Sequence, residues 1–310
     1  MRRFLMRPFA YALVFSALLA ALSAYVLMDA FVFERAIANV SDAPAPAEGA
    51  DPVQAQQPSE TAAPVSTDSS YDDGRISVAL ETLRVHGTTV YLASVRLDAA
   101  ELLKTAFARD TFGLNIGQPT SQIAQAKQAV LAVNGDYYGA RKNGYVIKNG
   151  VLYRQSVRND PEYDDLVIDA DGAFRLVNER TVSAEELLFS GARQLFCFGP
   201  ALVMDGDVVV EADEEVSRSM SSNPRTALGV VAPLHYLFVV SDGRTEESRG
   251  LTLYQLAEIM AAQGCQTAYN LDGGGSSTMY FNGRVINQPT TSGRTISERE
   301  VSDIVYIGYA

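Results

Sequence analysis

The chain has 310 residues, a formal net charge of −12 and 47% hydrophobic side chains. That is material for one large domain or two small ones with an ample core. The acidic balance argues against a nucleic-acid partner, since binding a phosphate backbone needs clustered Lys and Arg, and no long basic run follows the extreme N-terminus.

Arg2, Arg3 and Arg7 precede an apolar run from Pro8 to Met28 that meets no charge before Asp29. About 20 apolar residues span a bilayer, and a basic flank belongs on the cytoplasmic side. Residues 1–7 therefore read as a cytoplasmic flank and 8–33 as a single-pass signal-anchor, with the rest extracytoplasmic. A cleaved signal peptide competes, with Ala21-Leu22-Ser23-Ala24 as its small-residue stretch. The run nevertheless continues to Phe33, beyond the ~7–15 residues of a signal-peptide core. Residues 34–74 are expected to form a disordered stalk. Pro44, Pro46, Pro52, Pro58 and Pro64 alternate there with Ala, Gln and Ser, and between Ser41 and Asp73 the carboxylates have no Lys or Arg beside them. Such composition buries too little to fold.

Residues 75–310 read as one strand-rich domain. Asn149-Gly150, Asp171-Gly172, Asp205-Gly206 and Asn282-Gly283 each separate β-prone runs, the signature of tight hairpins. Helices are expected over Leu97–Ala108, Thr120–Gln128, a short stretch opened by Ser183 and Glu186, and one opened by Thr252 and Gln255 and closed by Gly264. The last two openings have capping-box spacing. There is no regular βαβ alternation. The expected class is α+β, a mixed but largely antiparallel sheet core with a few flanking helices. Cys197 and Cys265 lie in apolar surroundings, as two buried thiols or as one disulfide, and neither has metal-ligand spacing.

Four polar or glycine-rich segments adjoin β-prone runs. They are Asn134-Gly135-Asp136-Tyr137-Tyr138, Asn223-Pro224-Arg225-Thr226, Ser241-Asp242-Gly243-Arg244 and Asn270-Leu271-Asp272-Gly273-Gly274-Gly275-Ser276-Ser277. Consecutive glycines between ordered strands admit close backbone approach, and strand ends place reacting groups accurately. Asp136, Asp242 and Asp272 are the candidate catalytic carboxylates. Arg225 and Arg244, the amides Asn134 and Asn270, Gly273, Gly274, Gly275, Ser276 and Ser277 are candidate substrate or phosphate ligands. The segments hold no His, which weakens a Ser-His-Asp reading; the chain's histidines are His86 and His235. No Lys follows the glycines, so the turn is not a P-loop. Carboxylates suit attack at an anomeric carbon, and arginines grip phosphate; together they point to a sugar joined to phosphate. The bland alternative for each Asp is turn capping.

With these four motifs in this order, the stretch from Val78 to Gly308 resembles the phosphodiester glycosidase family. The resemblance implies a mixed α+β fold, removal of a sugar from a sugar-1-phosphodiester, and one pocket shared by Asp272 with Gly273–Gly275 and Ser276, Asn134, Arg225, and Asp242 with Arg244. Bacterial relatives are associated with exopolysaccharide or envelope glycopolymers. Many members carry a small residue where this chain has Asp136. That extra charge could alter substrate choice or, with Asp272, bind a cation, for which calcium suits oxygen ligands; no cofactor is required by the sequence. The expected partners are a sugar-phosphate or polysaccharide substrate and the membrane. A non-catalytic glycopolymer-binding protein at the cell surface is the rival reading, and a hydrolase with Ser276 or Ser277 as nucleophile a third.

Overall fold

Every strand ladder in the computed structural model, which describes residues 9–37, 64–158, 164–215 and 221–310, is antiparallel. A nine-stranded sheet runs in the order Asp207–Val208, Ala201–Met204, Thr267–Asn270, Thr226–Ala232, His235–Ser241, Thr88–Leu97, Ile76–Val85, Ser70–Asp72 and Val65–Ser66. A five-stranded sheet runs Arg284–Val285, Met279–Phe281, Leu131–Asn134, Asp303–Ile307 and Leu103–Phe107. The main core lies between them: Val95, Phe238 and Tyr269 of the first meet Val133, Phe281 and Val305 of the second.

His235–Ser241 is an almost unbroken apolar run because it is covered on both faces. Tyr236, Phe238 and Val240 point into the inter-sheet core, whereas Leu237 and Val239 pack under the helix Leu253–Ala262 through Leu256 and Met260. Gly229 lets that helix approach, since a Cβ there would lie 2.5 Å from Cys265 Sγ and 2.8 Å from Met260 Cε. The helix Thr120–Ala126 covers the outer face of the five-stranded sheet with Ile123 and Ala124. Helix, sheet, sheet and helix are thus stacked in layers, as the α+β expectation requires.

Both expected capping boxes form, Thr252 with Gln255 and Ser183 with Glu186. All four hairpins are present, with Asn149, Asp205 and Asn282 and the glycines after them at positive φ, and Gly172 at φ 85°. The expected helix over Leu97–Ala108 is instead the strand Leu103–Phe107 between two short 3₁₀ turns. Its ladder with Asp303–Ile307 overrides the helix propensity of Leu, Lys and Ala. Cys197 and Cys265 are both free and buried, in separate clusters.

The helix Ala10–Phe31 is 22 residues long and apolar enough to cross a membrane, with nearly all its side chains after Ala10 exposed. The expected stalk is interrupted by structure. Arg35–Ala36 pairs with Gly113–Leu114, Ile37 N donates to Phe112 O, and Arg109 Nη1 meets both Glu34 carboxylate oxygens at 2.9 Å. Gly113 is needed for this close seating, since a Cβ there would fall 2.1 Å from Arg35 O. At the other end, Val65–Ser66 and Ser70–Asp72 extend the nine-stranded sheet. The expected cytoplasmic flank with Arg2, Arg3 and Arg7, and the proline-rich centre of the expected stalk (38–63), lie outside the described residues.

Candidate active site

The glycine turn crosses from one sheet to the other, with Thr267–Asn270 in the nine-stranded sheet and Met279–Phe281 in the five-stranded one. Antiparallel register brings the other motifs to the same seam. Val133 faces Met279, Ala227 faces Asn270 and Thr226 faces Val240, so the strand ends carrying Asn134, Arg225 and Asp242 converge on the turn.

The turn is walled closely. Gly274 N donates to Pro224 O at 2.8 Å, and Gly274 sits at φ 62°. A Cβ on Gly273 would lie 2.9 Å from Pro224 O, one on Gly274 2.7 Å from Arg244 Nη2, and one on Gly275 2.3 Å from Thr291 Oγ1. Backbone therefore occupies space that any side chain would need. Asn134, fully buried, pins the seam: its Nδ2 donates to Asp272 O at 2.6 Å, and its Oδ1 accepts from Thr226 Oγ1 at 2.7 Å. Asn270 Nδ2 donates to Gly199 O at 2.7 Å, while its buried Oδ1 accepts from no described residue. Both amides hold the frame.

The three carboxylates differ in what remains open. Asp136 Oδ1 accepts from Tyr137 N and its Oδ2 from Cys197 N, each at 2.6 Å, so both oxygens anchor loops. Asp242 Oδ1 accepts from Gln288 N at 2.8 Å and its Oδ2 from Tyr91 O–H at 3.2 Å. Next to Gln288, Asn287 bonds Met279 N and Ser277 O, so Asp242 acts on the exit of the turn. Asp272 Oδ2 accepts from Ser276 Oγ at 2.6 Å and Arg299 Nη2 at 3.0 Å, and its Oδ1 takes no hydrogen bond from a described residue. Burial raises the proton affinity of Asp272, with the nearby Asp136 charge adding and Arg299 and Ser276 opposing. Burial raises that of Asp242 as well.

Arg225 is buried and already engaged: Nε donates to Leu251 O at 2.9 Å and Nη2 meets Glu215 Oε2 at 2.6 Å. Arg244 bonds only neutral oxygens, Asn223 Oδ1 at 3.0 and 3.2 Å and Thr291 O at 2.6 Å. Burial lowers its proton affinity, and the charges of Arg299 and Arg225 lower it further. The charge of Asp272 opposes this, and no described carboxylate is in ion-pair contact with Arg244. Ser277 Oγ is buried with no hydrogen-bond partner among the described residues. No imidazole reaches either serine: His86 lies in a turn at φ 51°, and His235 Nε2 is bonded to Ser94 Oγ. Among the described residues no group of three or more His, Cys, Asp and Glu converges in a way that could hold a metal ion.

Sequence reasoning missed Arg299, which bonds both Asp272 and Ser276 from a segment with no local signal. It also missed Asp303, whose Oδ1 accepts from Asp136 N at 2.8 Å and whose Oδ2 lies 2.9 Å from Lys148 Nζ. The bare backbone of Gly135 was legible, and its reason is Asp303: a Cβ there would lie 2.5 Å from Asp303 Oδ1.

A two-sheet antiparallel α+β domain with a glycine turn at the sheet seam defines a class with known members. The family model described as phosphodiester glycosidase matches residues 127–308, and this chain belongs to that family. The SPbeta prophage-derived uncharacterized protein YomE of Bacillus subtilis is 32% identical over 208 residues, 64% of this chain and 31% of that protein. N-acetylglucosamine-1-phosphodiester alpha-N-acetylglucosaminidase of mouse is 41% identical over 66 residues, 21% of this chain and 13% of the mouse protein. The aligned part is thus under a third of the length of either relative. Among solved structures, the zebrafish enzyme of that name, a catalytic domain auto-inhibited by its pro-peptide, matches with TM-score 0.60 at 19% identity, covering 76% of this chain and 83% of the other. A hypothetical protein from Synechocystis matches with TM-score 0.51 at 14% identity, covering 75% and 62%. These two likenesses show the fold.

Proposed function

We propose that the domain hydrolyses the glycosidic bond of a sugar-1-phosphodiester, with Asp272 as the reacting carboxylate and Arg244 as the phosphate ligand. One observation carries this. Of the three candidate carboxylates only Asp272 keeps an oxygen open, and it does so near an arginine, Arg244, that forms no contact ion pair with a described carboxylate. Ser276 and Arg299 fix the other oxygen and so aim the open one.

In this reading ionised Asp272 attacks C1 or draws a proton from the attacking water. The C1–O bond breaks, the phosphate leaves as an anion held by Arg244, and water supplies the new C1 hydroxyl, directly or by hydrolysing the Asp272–C1 ester, its other proton passing to Asp272 and on to solvent. A phosphate leaving group needs little protonation, which fits a site without histidine. Asp136 and Asp242 hold loops, and Arg225 fixes the Pro224 wall. The N-terminal helix, read as a single-pass anchor, would place the domain outside the membrane, where phosphodiester-linked exopolysaccharide or envelope glycopolymer is the substrate class.

The test is turnover of an aryl or nucleotide α-sugar-1-phosphate by the full chain in detergent. Asp272→Asn should lower kcat by about 10²–10⁴-fold, and Arg244→Ala should lower kcat/KM by about 10²-fold. Wild-type rates in both variants would remove these assignments. Glycopolymer retention without product from any substrate would make the domain a binding module instead.

A further inference from the structure

A cleft of about 380 Å³ opens at the edge of the five-stranded sheet, beside Leu103–Phe107, and no residue of the glycine turn lines it. The chain has four lysines, at 104, 127, 142 and 148, and three of them line this cleft together with Arg193. Among the described residues the only carboxylate side chain in its wall is Asp110, 2.5 Å from Lys127. On a chain with a net charge of −12 this is a local inversion of sign.

Three of the cations are engaged, Lys127 by Asp110. Lys148 is buried against Asp303 and lies 3.9 Å from the Phe196 ring centroid, and Lys104 Nζ donates to Tyr309 O and to a carboxylate oxygen of the last residue, Ala310. Arg193 is not. Its Nε is buried with no hydrogen-bond partner and its guanidinium forms no ion pair with a described residue, while Gly150 N, bonded to its carbonyl at 2.8 Å, fixes its backbone. A desolvated donor without an acceptor is costly unless a ligand supplies one. The same cleft is lined by two rings, Tyr153 set edge-on to Phe107 with ring centroids 4.8 Å apart.

We infer that this cleft is a second binding site, for one sugar unit carrying a phosphate or a carboxylate. Arg193 takes the anion in bidentate fashion, Lys127 adds a point charge, and the aromatic wall takes the apolar face of the ring. The volume suits a single charged monosaccharide. The inference does not depend on the hydrolytic reading, because the two sites share no residue.

Binding of glucose 1-phosphate, glucuronate and inorganic phosphate to the full chain in detergent, followed by calorimetry in an Arg244→Ala background, tests it and separates the phosphate from the carboxylate source. At least one sugar probe should bind more tightly than inorganic phosphate, and salt should weaken it. Arg193→Gln should weaken it about tenfold and Lys127→Gln about threefold, with melting temperatures unchanged. Should Arg193→Gln unfold, the partly exposed Lys127 decides. Undiminished binding in the folded variants, or no binding of any probe at millimolar concentration, overturns the site.

Discussion

Asp272, Asp136 and Asp242 look alike in sequence, each beside or near glycine, and differ only in what the fold leaves on their oxygens. Backbone amides take both oxygens of Asp136, so Asp136→Asn should loosen the 134–137 loop rather than remove a reacting group. The glycines of the turn are equally specific. Gly275→Ala places a methyl 2.3 Å from Thr291 Oγ1 and should cost about 1–3 kcal/mol in urea unfolding. Gly274→Ala adds a left-handed φ to a contact with Arg244 and should cut turnover even where the protein still folds. Asp303 gives a pH signature. Burial, with the charge of Asp136, pushes it up to about 6 despite Lys148. Its folded value thus lies above its unfolded one, so its contribution to stability is fully present below the ordinary carboxylate range and is lost as pH rises through about 6. Asp303→Asn lacks that loss. Urea midpoints at pH 4 and 7 should therefore show the variant gaining on the wild type as pH rises; the opposite trend would mean the ionised form is the one the fold favours.

The elements that were legible are those whose cause is local. Asn-Gly and Asp-Gly pairs set positive φ within two residues, and Ser183 and Thr252 cap helices with a partner three residues on, so hairpins and helix starts could be read directly. Thr252→Ala should lower stability by about 1 kcal/mol in urea unfolding, with the loss falling on the helix that roofs the nine-stranded sheet. Leu103–Phe107 could not be read this way, because its partner strand lies some 200 residues on, at Asp303–Ile307. The site divides along the same line. Strand ends followed by polar residues announced Asn134, Asp272 and Arg244, whereas Arg299 and the Glu215 partner of Arg225 join only through the folded chain. Arg225, expected on phosphate, is an example: nothing near Asn223-Pro224-Arg225 tells that its guanidinium is already held.

At the scale of the molecule, two sheets meet at a seam and the chemistry sits where the chain steps across it. The clip formed by Arg35–Ala36 on Gly113–Leu114, with Glu34 on Arg109, ties the N-terminal helix to the same body that Val65–Ser66 rejoins. Residues 38–63 therefore connect two points whose separation the domain itself sets. The insert is a closed bight in a rope already made fast at both ends, so its length does not determine the reach of the domain from the helix. Doubling that insert should leave the distance between fluorophores on helix and domain unchanged. Gly113→Val, which drives a side chain into Arg35 O, should lengthen and broaden it, converting a fixed mooring into a free leash.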